Sequence, residues 1–118
     1  MAPCPSSPNC VCSDSTDAAH AVQPFRILGE ASVVWPKLCD AVAAAPRVRV
    51  VKQTDVYLHA ECRTRLLRFT DDLELRLRAD EGVVAVRSAS RVGYSDLGKN
   101  RRRVEKLRGL LRERGLVG

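Results

Sequence analysis

The sequence predicts an α+β fold: an antiparallel sheet of four strands, with a short candidate fifth, and an N-terminal and a C-terminal helix packed on one face, in the order α-β-β-β-β-α. Three observations carry that expectation. Residues 56–63 and 72–78 alternate apolar and polar side chains with a period of two, so each strand has one buried and one polar face, which is antiparallel behaviour. The connections between consecutive strands are too short for crossover helices, which excludes a doubly wound parallel sheet. Residues 31–45 and 99–114 instead space their apolar side chains as helices do.

In chain order, residues 3–24 (PCPSSPNCVCSDSTDAAHAVQP) have neither period and read as a loop-dominated lead-in. Residues 25–28 form the candidate edge strand. Over 31–45, Trp35, Leu38, Cys39 and Val42 share one helical face. Ser32 is the candidate N-cap. Pro36 is expected to delay the regular helix to about Trp35, because an interior proline loses a hydrogen bond, and Pro46 ends it. Residues 48–53 are β-branched and short. In 56–63, Val56, Leu58, Ala60 and Cys62 oppose Tyr57, His59, Glu61 and Arg63; in 72–78, Leu73, Leu75 and Leu77 oppose Asp72, Glu74 and Arg76. Residues 83–88 complete the sheet after a Glu81-Gly82 turn. The final helix gathers Val104, Leu107, Leu110 and Leu111 on one side, with Asn100 in the middle of that side and Arg103 on its flank. Lys99, Arg101, Arg102, Lys106, Arg108 and Arg112 take the opposite arc, and Ser95 or Asp96 is the candidate cap.

A chain of 118 residues is one domain's worth, large enough to bury a core without a disulfide or metal. At 45% hydrophobic and 29% charged it is not a disordered tail. No run of 18 apolar residues provides a transmembrane segment. The localisation expected for the chain as it stands is soluble and cytoplasmic, or exported or plastid if a leader precedes it. The net charge of +6 is uneven: residues 1–98 hold 12 basic and 12 acidic side chains, residues 99–118 hold 8 and 2. The excess invites nucleic acid or an anionic surface as partner. With five aromatics and no nucleic-acid motif, that partner is disfavoured.

Three constellations could carry chemistry. Cys4, Cys10 and Cys12 lie in CPSSPNCVC, a spacing that is not a standard zinc pattern. A Cys4–Cys10 disulfide, a metal site joined by His20, and free thiols all remain open, though no metal and no cofactor is assigned. On the polar sheet face, His59 with Glu61 or Asp72 is a candidate acid/base set; the alternative is a face laced with cross-strand ion pairs. In the loop from residue 87 to 100, Arg87, Arg91, Ser88 and Ser90 could clamp a phosphate or carboxylate beside a helix N-terminus. Asp96 argues against an anion there, because it could fill the cap itself. No P-loop and no nucleophile–base pair is present.

The stretches CPSSPNCV, YLHAE-x-R-x-R-L-x-RF-x-DDLE and VRSASRVGYSDLGKNRRRVE resemble the domain-of-unknown-function 1499 family, small bacterial and plant proteins, over nearly the whole chain from Cys4 to about Leu111. The resemblance marks Cys4, Pro5, Pro8, Asn9 and Cys10; then Tyr57, His59, Glu61, Arg65, Arg68, Asp71, Asp72 and Glu74; then Arg87, Ser88, Ser90, Arg91, Gly93, Asp96, Gly98, Asn100 and Arg102. Relatives show Ser or Thr in place of Cys12 and an aromatic in place of Leu67. The family brings no established activity. It does make so large a polar set harder to explain as exposed ion pairs, which contribute little. The reading that follows is a non-catalytic binding module for a small anionic ligand or acidic partner. Its binding residues are Arg65, Arg87, Ser88, Ser90, Arg91, Asp96 and Asn100; an enzyme using His59, Glu61 and Asp72 is the alternative.

Overall fold

The computed structural model describes residues 1–66 and 68–118. The elements are β1 (Cys10–Cys12), β2 (Phe25–Arg26), α1 (Ala31–Ala43), β3 (Val48–Gln53), β4 (Tyr57–Arg63), β5 (Thr70–Arg78), β6 (Val83–Ser90) and α2 (Lys99–Glu113). A 3₁₀ turn at Ala79–Glu81 joins β5 to β6. The strands pair antiparallel in the order β1-β6-β5-β4-β3, and β2 pairs with β6 on the edge that β1 also uses. The α+β class and antiparallel sheet hold. The strand count and element order are corrected: the sheet has six strands, and two of them precede α1.

The correction lies in the lead-in. β1 pairs Cys10 with Ala89, Val11 with Ser88 and Cys12 with Arg87. Three residues between prolines and serines are too few to show a period, so only the partner edge reveals the strand. α1 begins at Ala31 rather than near Trp35, and its N-cap residue is Glu30, without a side-chain bond, rather than Ser32. Pro36 sits in the second turn, where it removes one hydrogen bond. Burial of Val34, Trp35, Leu38 and Cys39 carries the helix through it. The helix ends at Ala43, short of Pro46.

Both helices and one face of the sheet share a single buried cluster. It joins Trp35, Leu38 and Val42 of α1, Val104, Leu107 and Leu111 of α2, and Leu58, Leu73, Leu75, Val84 and Val86 of the sheet. β5 starts two residues earlier than its leucine pattern suggests, which puts Asp71 on the core face with the leucines. The basic arc of α2 is not wholly solvated. Arg108 is 5% exposed; its Nη1 and Nη2 donate to the carbonyls of Pro24 (3.0 Å) and Gln23 (2.7 Å), and its guanidinium lies 4.8 Å from the Phe25 ring. Arg101 Nη1 donates to the Ala21 carbonyl at 2.7 Å. That arc is the seat of the lead-in.

Cys4 and Cys10 form a disulfide at a sequence separation of 6. A loop this short constrains the unfolded chain modestly, by about 2 kcal/mol. Cys4→Ser is expected to lower the unfolding free energy by about that much in denaturant titrations. Core amides of β4 and β5 that exchange only through global unfolding should lose protection by the same amount.

Candidate functional site

The pairing of β3, β4, β5 and β6 gathers charged residues on the face away from the helices. Register puts Glu61 opposite Asp72, His59 opposite Glu74, and Glu74 opposite Arg87. His59 Nε2 lies 2.7 Å from Asp72 Oδ1. Arg91, just past β6, donates from Nε and Nη2 to both Asp72 oxygens at 2.8 Å and from Nη2 to Glu61 Oε2 at 2.7 Å. Arg49 Nη2 donates to the other Glu61 oxygen at 2.8 Å. The Arg91 guanidinium, with His59 adding to it, holds the Asp72 carboxyl below the usual range; Arg49 and Arg91 do the same to Glu61.

Next to this network the Tyr57 hydroxyl donates to Glu74 Oε2 at 2.5 Å. Burial, and then that bond, push the Tyr57 hydroxyl up to about 12. Arg87 Nη1 is 3.5 Å from the other Glu74 oxygen, and Nη2 donates to the Pro3 carbonyl at 3.4 Å. Its Nε is buried without an acceptor among the described residues. The start of the chain thus lies over this face. Met1 and Ala2, with Lys52, Thr54, Tyr57, His59, Glu74 and Arg76, line a concavity of about 440 Å³. Arg76 Cζ and Lys52 Nζ lie 5.2 and 5.9 Å from the Tyr57 ring centroid. Neither cation has a carboxylate partner among the described residues. The Thr54 hydroxyl is occupied, accepting from the backbone N–H of Val56 and Tyr57.

The other polar residues converge at one end of the core. Asn100, fully buried, accepts from the Ser88 hydroxyl (2.7 Å) and Arg103 Nη1 (2.9 Å). Its Nδ2 faces the Asn9 carbonyl, Ser90 Oγ and Asp96 Oδ2 at 3.1, 2.9 and 2.8 Å. Asp96 also accepts from the N–H groups of Gly98 and Asn100, so its carboxylate occupies the start of α2. Asp71, fully buried, accepts from Lys99 Nζ at 3.1 Å. Its Oδ2 lies 2.7 Å from Arg103 Nη2, at ion-pair distance but off the hydrogen-bond line.

The sequence-derived candidates therefore fall into two groups. His59, Glu61, Asp72, Arg87 and Arg91 share the polar face; Ser88, Ser90, Asp96 and Asn100 share the core end. The four-residue clamp is not assembled, because Arg87 and Ser88 are strand neighbours and point to opposite faces. Arg65 is exposed after β4 and makes no hydrogen bond or ion pair among the described residues, and Leu67 lies outside those residues. Of the cysteine-rich set, Cys4 and Cys10 are joined and Cys12 is a buried thiol. His20 is held by Asp17 and the Ser7 carbonyl. Lys52 and Arg76 went unselected. Parity with Glu74 already places Arg76 on this face in the sequence, though not among the binding candidates, whereas Lys52 reaches it only through a bulge between Val50 and Lys52.

Each cluster yields a prediction. Asn100→Ala removes the buried acceptor shared by the Ser88 hydroxyl and Arg103 Nη1, so unfolding free energy is expected to fall by about 2–4 kcal/mol in denaturant titrations. Arg91→Ala acts through carboxylates whose folded values are depressed. Their contribution is present at neutral pH and lost as pH falls through those values. The variant should melt below wild type at pH 7, and the gap should close below about pH 4.

A family model described as Protein of unknown function (DUF1499) matches residues 1–111. No curated protein and no solved structure matches the chain. The family match is continuous from the lead-in through both polar clusters and nearly all of α2, and the chain belongs to the DUF1499 family.

Proposed function

We propose that the protein is a non-catalytic binding module whose ligand is a small anion, held in the concavity on the polar sheet face. One observation carries the reading: Lys52 and Arg76 flank the Tyr57 ring at the concavity, and neither is ion-paired to a carboxylate among the described residues. Two of the arginines expected in this role are already committed, Arg91 to Asp72 and Glu61 and Arg87 to Glu74, and the third, Arg65, does not line the concavity. An incoming carboxylate or phosphate would meet two cations and the edge of His59. Glu74, held by its bond to Tyr57, repels a second negative charge placed close to it.

A second reading takes His59 as an acid/base oriented by Asp72, favoured by their 2.7 Å separation beside the concavity. It ranks below the first because the one aliphatic hydroxyl of the lining, on Thr54, already locks the β3–β4 turn.

The test is an NMR titration with inorganic phosphate and with succinate. The expected result is saturable shifts at Tyr57 and His59, with a Kd of about 1 mM, or −4 kcal/mol. Combined Lys52→Ala and Arg76→Ala should weaken it by about tenfold or more. Shifts that stay linear with anion concentration, or that survive the double substitution, overturn the reading.

A further inference from the structure

The face of the sheet that carries the helices holds a second recess. The C-terminal end of α1, the turn that follows it, the end of β4 and the side of α2 enclose a groove of about 460 Å³. The buried side chains of Val42, Leu73 and Leu107 back it, and Ala44, Ala45, Pro46 and Leu110 give it an accessible apolar wall. Among the described residues, five cations line it and no carboxylate does. Arg103 is committed to Asp71 and Asn100. Arg47, Arg63, Lys106 and Arg114 are exposed and make no side-chain hydrogen bond or ion pair among the described residues.

Four unpaired like charges around one apolar recess repel one another, and the low polarity beneath them strengthens that repulsion. The lip is also strained. Arg47 has φ +61°, the left-handed region that disfavours residues with a Cβ. It is held there by its carbonyl, which accepts from the Arg63 N–H at 2.9 Å. Two rim arginines are thereby fixed relative to each other at a position where the backbone alone would not choose to sit.

We propose that this groove binds a free medium-chain carboxylate, with its alkyl tail against Ala44, Ala45, Pro46 and Leu110 and its head group among Arg47, Arg63, Lys106 and Arg114. Charge complementarity names the head group, and the apolar lining names the tail. The volume lies within the range of about 300–1,000 Å³ that small-molecule sites occupy, and the site is recessed rather than flat, which suits a small molecule better than a protein or bilayer surface. The sheet separates this groove from the polar concavity, so the two proposals stand independently.

The test uses decanoate below its micelle-forming concentration, with 1-decanol and decyltrimethylammonium as neutral and cationic counterparts, followed by calorimetry and by amide shift mapping. Decanoate is expected to saturate below about 1 mM, more tightly than decanol, with decyltrimethylammonium weakest. Combined Arg63→Glu and Lys106→Glu should weaken decanoate by about tenfold or more while leaving decanol unchanged, which also shows that the groove is intact in the variant. Ala44→Phe, which fills the groove from its wall, should remove both ligands. Lys52→Ala with Arg76→Ala should leave decanoate affinity as it was. The proposal is overturned if decanoate binds no more tightly than decanol or only above its micelle threshold. It is equally overturned if the charge reversals leave decanoate unaffected or the shifts map to Tyr57 and His59.

Discussion

The carboxamide of Asn100 sits where the lead-in, the sheet and the second helix meet, and both candidate sites depend on that junction. A buried amide on the apolar side of a helix is costly unless its donors and acceptor are paired. Here Ser88 and Arg103 serve the oxygen, while the Asn9 carbonyl, Ser90 and Asp96 surround the nitrogen. Those partners come from different parts of the chain, so satisfying one amide locks α2 against β6 and ties down the segment just before β1. The Asn9 carbonyl also accepts from the Ser90 N–H, extending the β1–β6 pairing by one residue. With β1 held on that edge, Pro3 reaches Arg87 and the first residues lie over the polar face. The same seating of α2 sets Lys106 and Arg114 on the rim of the groove.

Period-two alternation then divides the polar residues of the family pattern between two environments. Those with the parity of Leu73 and Leu75, namely Asp71, Ser88 and Ser90, are turned toward the helices. There they must be paired, because an unpaired polar group under a helix costs more than the hydrogen bond it forgoes. Those with the parity of Asp72 and Glu74 face outward and form a chain of carboxylates and guanidiniums. The arginines that look most suited to an anion are consumed in that chain. What stays available to a ligand is the pair of cations at its end, Lys52 and Arg76, beside an aromatic ring.

Much of this was legible in the sequence, and the failures have specific causes. The alternation in β4 and β5 is legible because six apolar positions, each flanked by polar ones over 57–63 and 72–78, leave little choice of face. The grouping of His59, Glu61 and Asp72 followed from parity alone. β1 was missed because a three-residue strand is defined by the edge it joins rather than by its own pattern. Asp71 was missed as a core residue because hydrophobicity marks where a buried strand runs only while its residues are apolar. Its cations, Lys99 and Arg103, lie 28 and more residues away and can be assigned only once α2 is packed. Lys52 escaped because one extra residue in β3 reverses parity, and nothing in VRVVKQ announces the bulge. Arg108 escaped because the helix wheel treats a charged arc as solvent-facing, whereas a guanidinium can bury itself against carbonyls and a ring.

The net charge shows how far such local satisfaction alters a functional reading. Eight basic residues in the last 20 would suit a nucleic-acid footprint if they formed one exposed field. They do not. Arg101 and Arg108 hold the lead-in, Lys99 and Arg103 neutralise Asp71, and Arg102 donates to the Leu97 carbonyl. Among the remainder, Lys106 and Arg114 are joined across the groove by Arg47 and Arg63 from other elements, a ring of cations around an apolar recess rather than a stripe along a helix. A phosphate backbone asks for charges spaced along a line; a ring over an apolar floor asks for one compact head group with a tail behind it. The excess charge that first suggested a polymer thus points, once placed on the structure, to a small amphiphile.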